Sequence, residues 1–231
     1  MKSFADKLIA YNELLEYTGP LPANIRVMNP FQESVQALEI SSAFYQKFYS
    51  DNQPRRLIIG INPGRFGGGV TGIPFTDTKR LQSECGIPYE GKDTYEPSSV
   101  FVYDVINAYG GAEAFYKKFL VHAVFPLAIT KVGENGKETN FNYYDSRELK
   151  DAVYDFTVRH IKRLIAMGMN TEKCYCLGTN KNFKFLQKLN KEHHFFKDII
   201  PLEHPRFIVQ YKSRYKQEYI DKYLEVLGRP N

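Results

Sequence analysis

The stretch Arg55-Arg56-Leu57-Ile58-Ile59-Gly60-Ile61 runs directly into Asn62-Pro63-Gly64. A short apolar run between Pro54 and Pro63 reads as a strand buried on both faces, the kind that parallel sheets use. Pro63 and Gly64 then turn the chain. Residues 120–125, 174–178 and 198–200 read as three further strands. Residues 3–17 read as an amphipathic helix, with Phe4, Leu8, Tyr11 and Leu15 along one face and Ser3 with Asp6 as a capping box. Helical spacing recurs over residues 33–49, 112–118, 146–167, 180–189 and 213–227. Residues 99–109 fit a helix or a strand. Residues 132–144 form a polar excursion, and residues 62–95 a long glycine-rich loop, of the length that is functional or disordered in compact domains. Strands alternate with helices, so the fold class is α/β with a mainly parallel sheet.

With 231 residues, 43% of them hydrophobic and 25% charged, the chain is expected to form one domain, with a helical extension over about residues 1–50. The net charge of +5 fits a polyanionic partner without requiring one. Cys85, Cys174 and Cys176 are too few for a disulfide framework or a four-cysteine cluster. Cys174 and Cys176 alternate with Tyr175 and read as small hydrophobes on one strand face. This usage fits a reducing cytoplasm. Lys2, Asp6 and Lys7 interrupt the start of the chain, so no signal peptide is expected there. No run approaches the roughly 20 apolar residues of a membrane span, and a monomer without membrane contact is expected.

Several catalytic patterns fail on inspection. Gly67-Gly68-Gly69-Val70-Thr71-Gly72 formally matches a dinucleotide fingerprint, which must follow its strand directly and open a helix. Here Pro63 precedes it and Pro74 closes it, and no Walker lysine follows. His122 and His204 lack a second ligand at metal-binding spacing. No Gly-x-Ser-x-Gly elbow exists. Neither a metal nor a cofactor is expected. Two segments do fall at carboxyl ends of predicted strands, where α/β sheets place their sites. These are Gly60-Ile61-Asn62-Pro63-Gly64 and Leu202-Glu203-His204-Pro205.

Three segments taken together carry a resemblance: Gly60-Ile61-Asn62-Pro63-Gly64-Arg65-Phe66-Gly67, Thr71-Gly72-Ile73-Pro74-Phe75 and His204-Pro205-Arg206. They resemble the uracil-DNA glycosylase superfamily, and within it the single-strand-selective monofunctional branch. Val121-His122-Ala123-Val124-Phe125-Pro126-Leu127 resembles that branch's middle strand. The likeness spans about residues 55–227. It implies a three-layer α/β/α fold on a short four-stranded sheet. It also implies hydrolysis of the bond between a base and its sugar in single- or double-stranded DNA, with uracil or a 5-modified uracil as the base. The product would be an abasic site on an uncut strand.

The resemblance also assigns roles. Asn62 would orient the attacking water, an amide being too weak a base to do more. His204 would donate to the base O2 as charge builds there. Phe75 would stack on the extruded base. Gly64 would leave space beside C5, implying tolerance of modified uracils. Phe66 and Ala123 complete the expected base-binding set. Arg65, Arg206, Lys212 and Arg214 are the expected DNA contacts, the last three within an acid-free stretch after Pro205 that interleaves cations with Phe207, Tyr211 and Tyr215. Each residue also has a purely structural reading: Pro63 and Gly64 as a tight turn, Asn62 as its cap, Phe75 as core.

Two departures stand out. The branch carries a base-reading Asn on its middle strand, where this chain has Ala123. The His-Pro motif continues as Arg206-Phe207-Ile208 rather than as Ser-Pro-Arg-Asn-Pro. His122 and Asn142 are the two polar groups that would replace the missing Asn. A non-catalytic nucleic-acid-binding relative is the alternative reading.

Overall fold

The computed structural model describes residues 2–229. The described residues hold seven strands in two sheets: β1 (Ile25–Met28), β2 (Arg56–Gly60), β3 (Phe119–Ala123), β4 (Ala128–Val132), β5 (Glu138–Asn140), β6 (Asn170–Leu177) and β7 (Asp198–Leu202). The principal sheet is fully parallel, in the order β3-β2-β6-β7, and helices flank it. Leu57, Ile58, Ile59 and all of β3 are buried, as a sheet covered on both faces requires. The register sets Gly60 opposite Ala123, Ile59 opposite Cys176 and Leu177 opposite Leu202. The carboxyl ends of all four strands therefore open on one edge of the molecule. Cys174 and Cys176 are buried free thiols.

Several boundaries differ from the sequence reading. Residues 99–109 belong to a helix, Pro97–Ala108, which begins on a proline suited to a first turn. The glycine-rich loop holds two short helices, Gly68–Thr71 and Thr78–Ser83. The helix expected over residues 146–167 is two, Arg147–Ala152 and Tyr154–Ala166, separated at Val153. A helix absent from the sequence reading, Pro205–Tyr211, precedes a 3-10 turn at Ser213–Tyr215 and the last helix, Lys216–Leu227.

The second sheet is the main surprise. β4 pairs antiparallel with β1 on one side and β5 on the other, so the polar excursion supplies one edge strand of a small three-stranded sheet. Its partners are separated in sequence, and β5 is three residues long and largely exposed, so no alternation of apolar residues marks it.

The amino-terminal helices are not appended to this core. Phe4, Leu8 and Tyr11 of helix Phe4–Glu13, and Phe44 and Tyr49 of helix Val35–Tyr49, join the hydrophobic cluster that contains β2 and β3. Arg55, fully buried, clamps them. Its guanidinium lies 4.8 Å from the Tyr49 ring centre and 5.3 Å from that of Phe4. It donates to Tyr116 O, Phe48 O and Gln53 O and pairs with Asp51 at 2.9 Å. A buried guanidinium is tolerable only when its donors are satisfied in this way.

Candidate active site

A cleft of about 340 Å³ lies beyond the carboxyl ends of β2 and β3. It is lined by Asn62, Gly64, Phe75, Ala123, His204 and Arg206, together with Glu96 and Asn142. Six of the residues singled out in the sequence thus converge, although they span more than half of the chain.

Asn62 follows β2 by two residues, and its amide is fixed on both sides. Nδ2 donates to Phe141 O at 3.1 Å, and Oδ1 accepts from the Tyr143 N–H at 3.1 Å. An amide oxygen has a second lone pair, so a water can still bind Oδ1. The unforeseen sheet supplies this clamp, because residues 141–143 follow β5 directly. It also orders the next turn, where the Arg65 N–H donates to Asn140 Oδ1 at 3.0 Å.

Phe75 has φ of 54°, a left-handed conformation that costs a bulky residue about 1–3 kcal/mol and that clusters at functional sites. Its ring packs on the end of β2. A Cβ at Gly60 would sit 2.8 Å from ring carbons, so glycine is required there for the ring to approach the backbone. The Phe75 and His204 ring centres are 5.8 Å apart.

His204 ends the turn after β7 and caps helix Pro205–Tyr211. The Arg206 N–H donates to its Nδ1 at 3.2 Å, so Nδ1 is the unprotonated nitrogen and Nε2 carries the hydrogen. Burial, reinforced by the Arg206 charge, brings the imidazole pKa down to about 4. His204 is therefore a neutral donor at physiological pH.

His122 is excluded as a base reader. It points away from the cleft, where its Nδ1 accepts the Ala123 N–H at 3.0 Å and its ring centre lies 4.6 Å from that of His160. His160 in turn fixes the back of the site. Its Nε2 faces Ala123 O at 3.1 Å and its Nδ1 faces the Tyr11 hydroxyl at 2.6 Å. A carbonyl only accepts, so Nε2 holds the hydrogen and Tyr11 donates to Nδ1. Burial keeps both histidines neutral: the His122 pKa is down to about 4, and His160 lies well below its usual range. Asn142, the other candidate, does line the cleft. Among the described residues its side-chain amide has no hydrogen-bond partner.

Phe66 corrects the sequence reading. It is 46% exposed and lies outside the cleft lining, with the Arg65 guanidinium 4.1 Å from its ring centre. The preceding turn carries it outward. Of the expected DNA contacts, Arg206 lines the cleft. Arg65 lies beside it, and Lys212 and Arg214 follow helix Pro205–Tyr211. Exposed Phe207 and Tyr211 extend the rim on that helix. Asn142 lines the cleft as one of the two polar groups named from the sequence, whereas Glu96, Asn140 and Tyr144 were missed as lining residues and carried no sequence signal.

The strand ends of this parallel sheet bring together a backbone-fixed amide, an aromatic ring and a neutral imidazole donor in one cleft. Residues 46–228 match the family described as the Uracil DNA glycosylase superfamily. The crystal structure of wild-type Pedobacter heparinus SMUG2 has 58% sequence identity to this chain and a TM-score of 0.96, covering 98% of this chain and 97% of that one. The amino-terminal helices therefore have counterparts in that structure. No curated protein matches the chain. The chain belongs to the uracil-DNA glycosylase superfamily. More narrowly, it is a SMUG-like monofunctional uracil-DNA glycosylase, an N-glycosyl hydrolase of DNA repair.

Proposed function

We propose that uracil, extruded from DNA, enters the cleft at the ends of β2 and β3, and that the residues lining it carry out its release. The observation that carries this reading is the convergence of Asn62, Phe75 and His204 on one cavity, with donor directions set by the surrounding backbone. Phe75 stacks on the ring. Asn62 Oδ1 holds a water against the sugar. The C1′–N1 bond breaks with its electron pair leaving on the base, and His204 Nε2–H stabilises the charge that gathers on O2. The water oxygen bonds to C1′ and its proton passes to solvent. Asn142 takes over the reading of the base edge, since Ala123 offers only a methyl group and backbone. The enzyme acts as a monomer on DNA in the cytoplasm.

A base-release panel on single- and double-stranded oligonucleotides tests the reading. Uracil should be released and the strand left uncut until alkali is added. Asn142→Ala should raise KM and reduce the preference for uracil over cytosine about tenfold or more, the scale of a lost bidentate base contact. Equal inertness of wild type and Asn62→Ala on every substrate would overturn it. The DNA grip is tested separately. Each phosphate contact adds about 0.7–0.9 to the slope of log affinity against log salt. Replacing Arg206 and Arg214 together with glutamine should flatten that slope by between one and two, and an unchanged slope would remove the segment from the interface.

A further inference from the structure

The space that Gly64 leaves is already taken. A Cβ at position 64 would lie 2.5 Å from Glu96 Oε1, and one at position 67 would overlap Glu96 Oε2. Both glycines are thus explained by the carboxyl that packs against them. Glu96 comes from outside all three motif segments, at the start of helix Pro97–Ala108, where its N–H donates to Asp77 Oδ2 at 2.8 Å. It lines the same cleft as Asn62, Phe75 and His204. Its Oε2 is enclosed and makes no hydrogen bond, an arrangement that costs free energy and is uncommon in native proteins.

We infer that Glu96 is a specificity-determining residue: its carboxyl is the wall that a C5 substituent meets, so the pocket admits uracil and resists 5-substituted pyrimidines. The inference rests on the proposed entry of the base, in the orientation that the resemblance implies, with C5 beside Gly64. Chemistry and size act together. A 5-methyl group would press an apolar surface against the carboxyl oxygen Oε1, and a 5-hydroxymethyl group would need the volume that the carboxyl fills. Uracil has only a hydrogen there. The wall is also only partly ionised at neutral pH. Burial, then repulsion from Asp77, pushes the carboxyl up to about 7, while Arg206 pulls it back. The charged and titratable groups around it are Asp77, itself paired with Arg80, and Arg206, His204 and Tyr144, which line the same cleft.

The test compares wild type with Glu96→Ala, Glu96→Asp and Glu96→Gln on single-stranded oligonucleotides carrying uracil, 5-hydroxymethyluracil or thymine. Wild type should prefer uracil over 5-hydroxymethyluracil. Glu96→Ala and Glu96→Asp should each shift the ratio of kcat/KM values toward 5-hydroxymethyluracil by about tenfold or more, the scale on which a pocket discriminates a small group. Glu96→Gln, of equal volume, should keep the wild-type ratio. Affinities for the same bases on non-cleavable 2′-fluoro sugars give the ratio without turnover. An enzyme inert in chemistry but selective in binding would thus overturn the catalytic roles and leave the wall standing. An unchanged ratio in both shortened variants, or a wild type that handles 5-hydroxymethyluracil as readily as uracil, would overturn the inference.

Discussion

Asn62→Ala should lower the single-turnover rate of uracil release by about 10²–10³-fold, the range expected when a reactant-positioning contact is lost. Two effects combine. The water loses its acceptor, and residues 141–143 lose the two hydrogen bonds that hold them against the cleft. Asn62→Asp separates them. An aspartate still accepts from Tyr143 N–H and can still bind water, but it cannot donate to Phe141 O and places a negative charge beside that carbonyl. Its rate should fall between those of wild type and Asn62→Ala, with lower thermal stability than wild type. A rate for Asn62→Ala within threefold of wild type would show that the amide only shapes the turn.

The second large effect is expected at His204. Asparagine there preserves an acceptor for the Arg206 N–H and is a favoured helix cap. It withdraws the Nε2–H from the cleft. His204→Asn should therefore reduce kcat by about 10²–10³-fold, as for loss of one donor to a developing oxyanion, and leave the melting temperature within a few degrees. The pH dependence follows from the direction of the shift. The folded-state pKa of about 4 lies below the ordinary histidine value, so the neutral donor persists through the mildly acidic range. The native imidazole stays unprotonated while the unfolded one takes up a proton. Stability from this residue is thus complete above the unfolded pKa of about 6.5 and is lost as pH falls toward 4. A pH–rate profile whose acid limb lies near 6.5 and disappears in His204→Asn would contradict a neutral donor.

The strands of the principal sheet were legible because burial on both faces writes itself as apolar runs, as in Leu57-Ile58-Ile59. Asn62, Phe75 and His204 were legible as members of spaced motifs, and the fold does bring them together. What the sequence hid was set by distant partners. β5 carries no apolar alternation because it is a three-residue edge strand, paired with β4 alone and largely exposed. The clamp on Asn62 joins residues about eighty positions apart, through backbone groups that every residue possesses. Gly64 was readable as a missing side chain, but the group that fills the vacancy, Glu96, lies in a different element. Phe66 was misplaced because adjacency to a motif says nothing about which way a turn sends the next side chain.

The tie from Tyr11 through His160 to the Ala123 carbonyl bears on where this protein begins as a physical object. The stretch shared across the superfamily starts at residue 46, yet the backbone at the floor of the cleft leans on a hydroxyl from residue 11. The stretch that matches the superfamily and the stretch that packs as one hydrophobic core are then not the same length. A comparison of homologues that is confined to the shared stretch would count the first helices as decoration, although they buttress the pocket from behind.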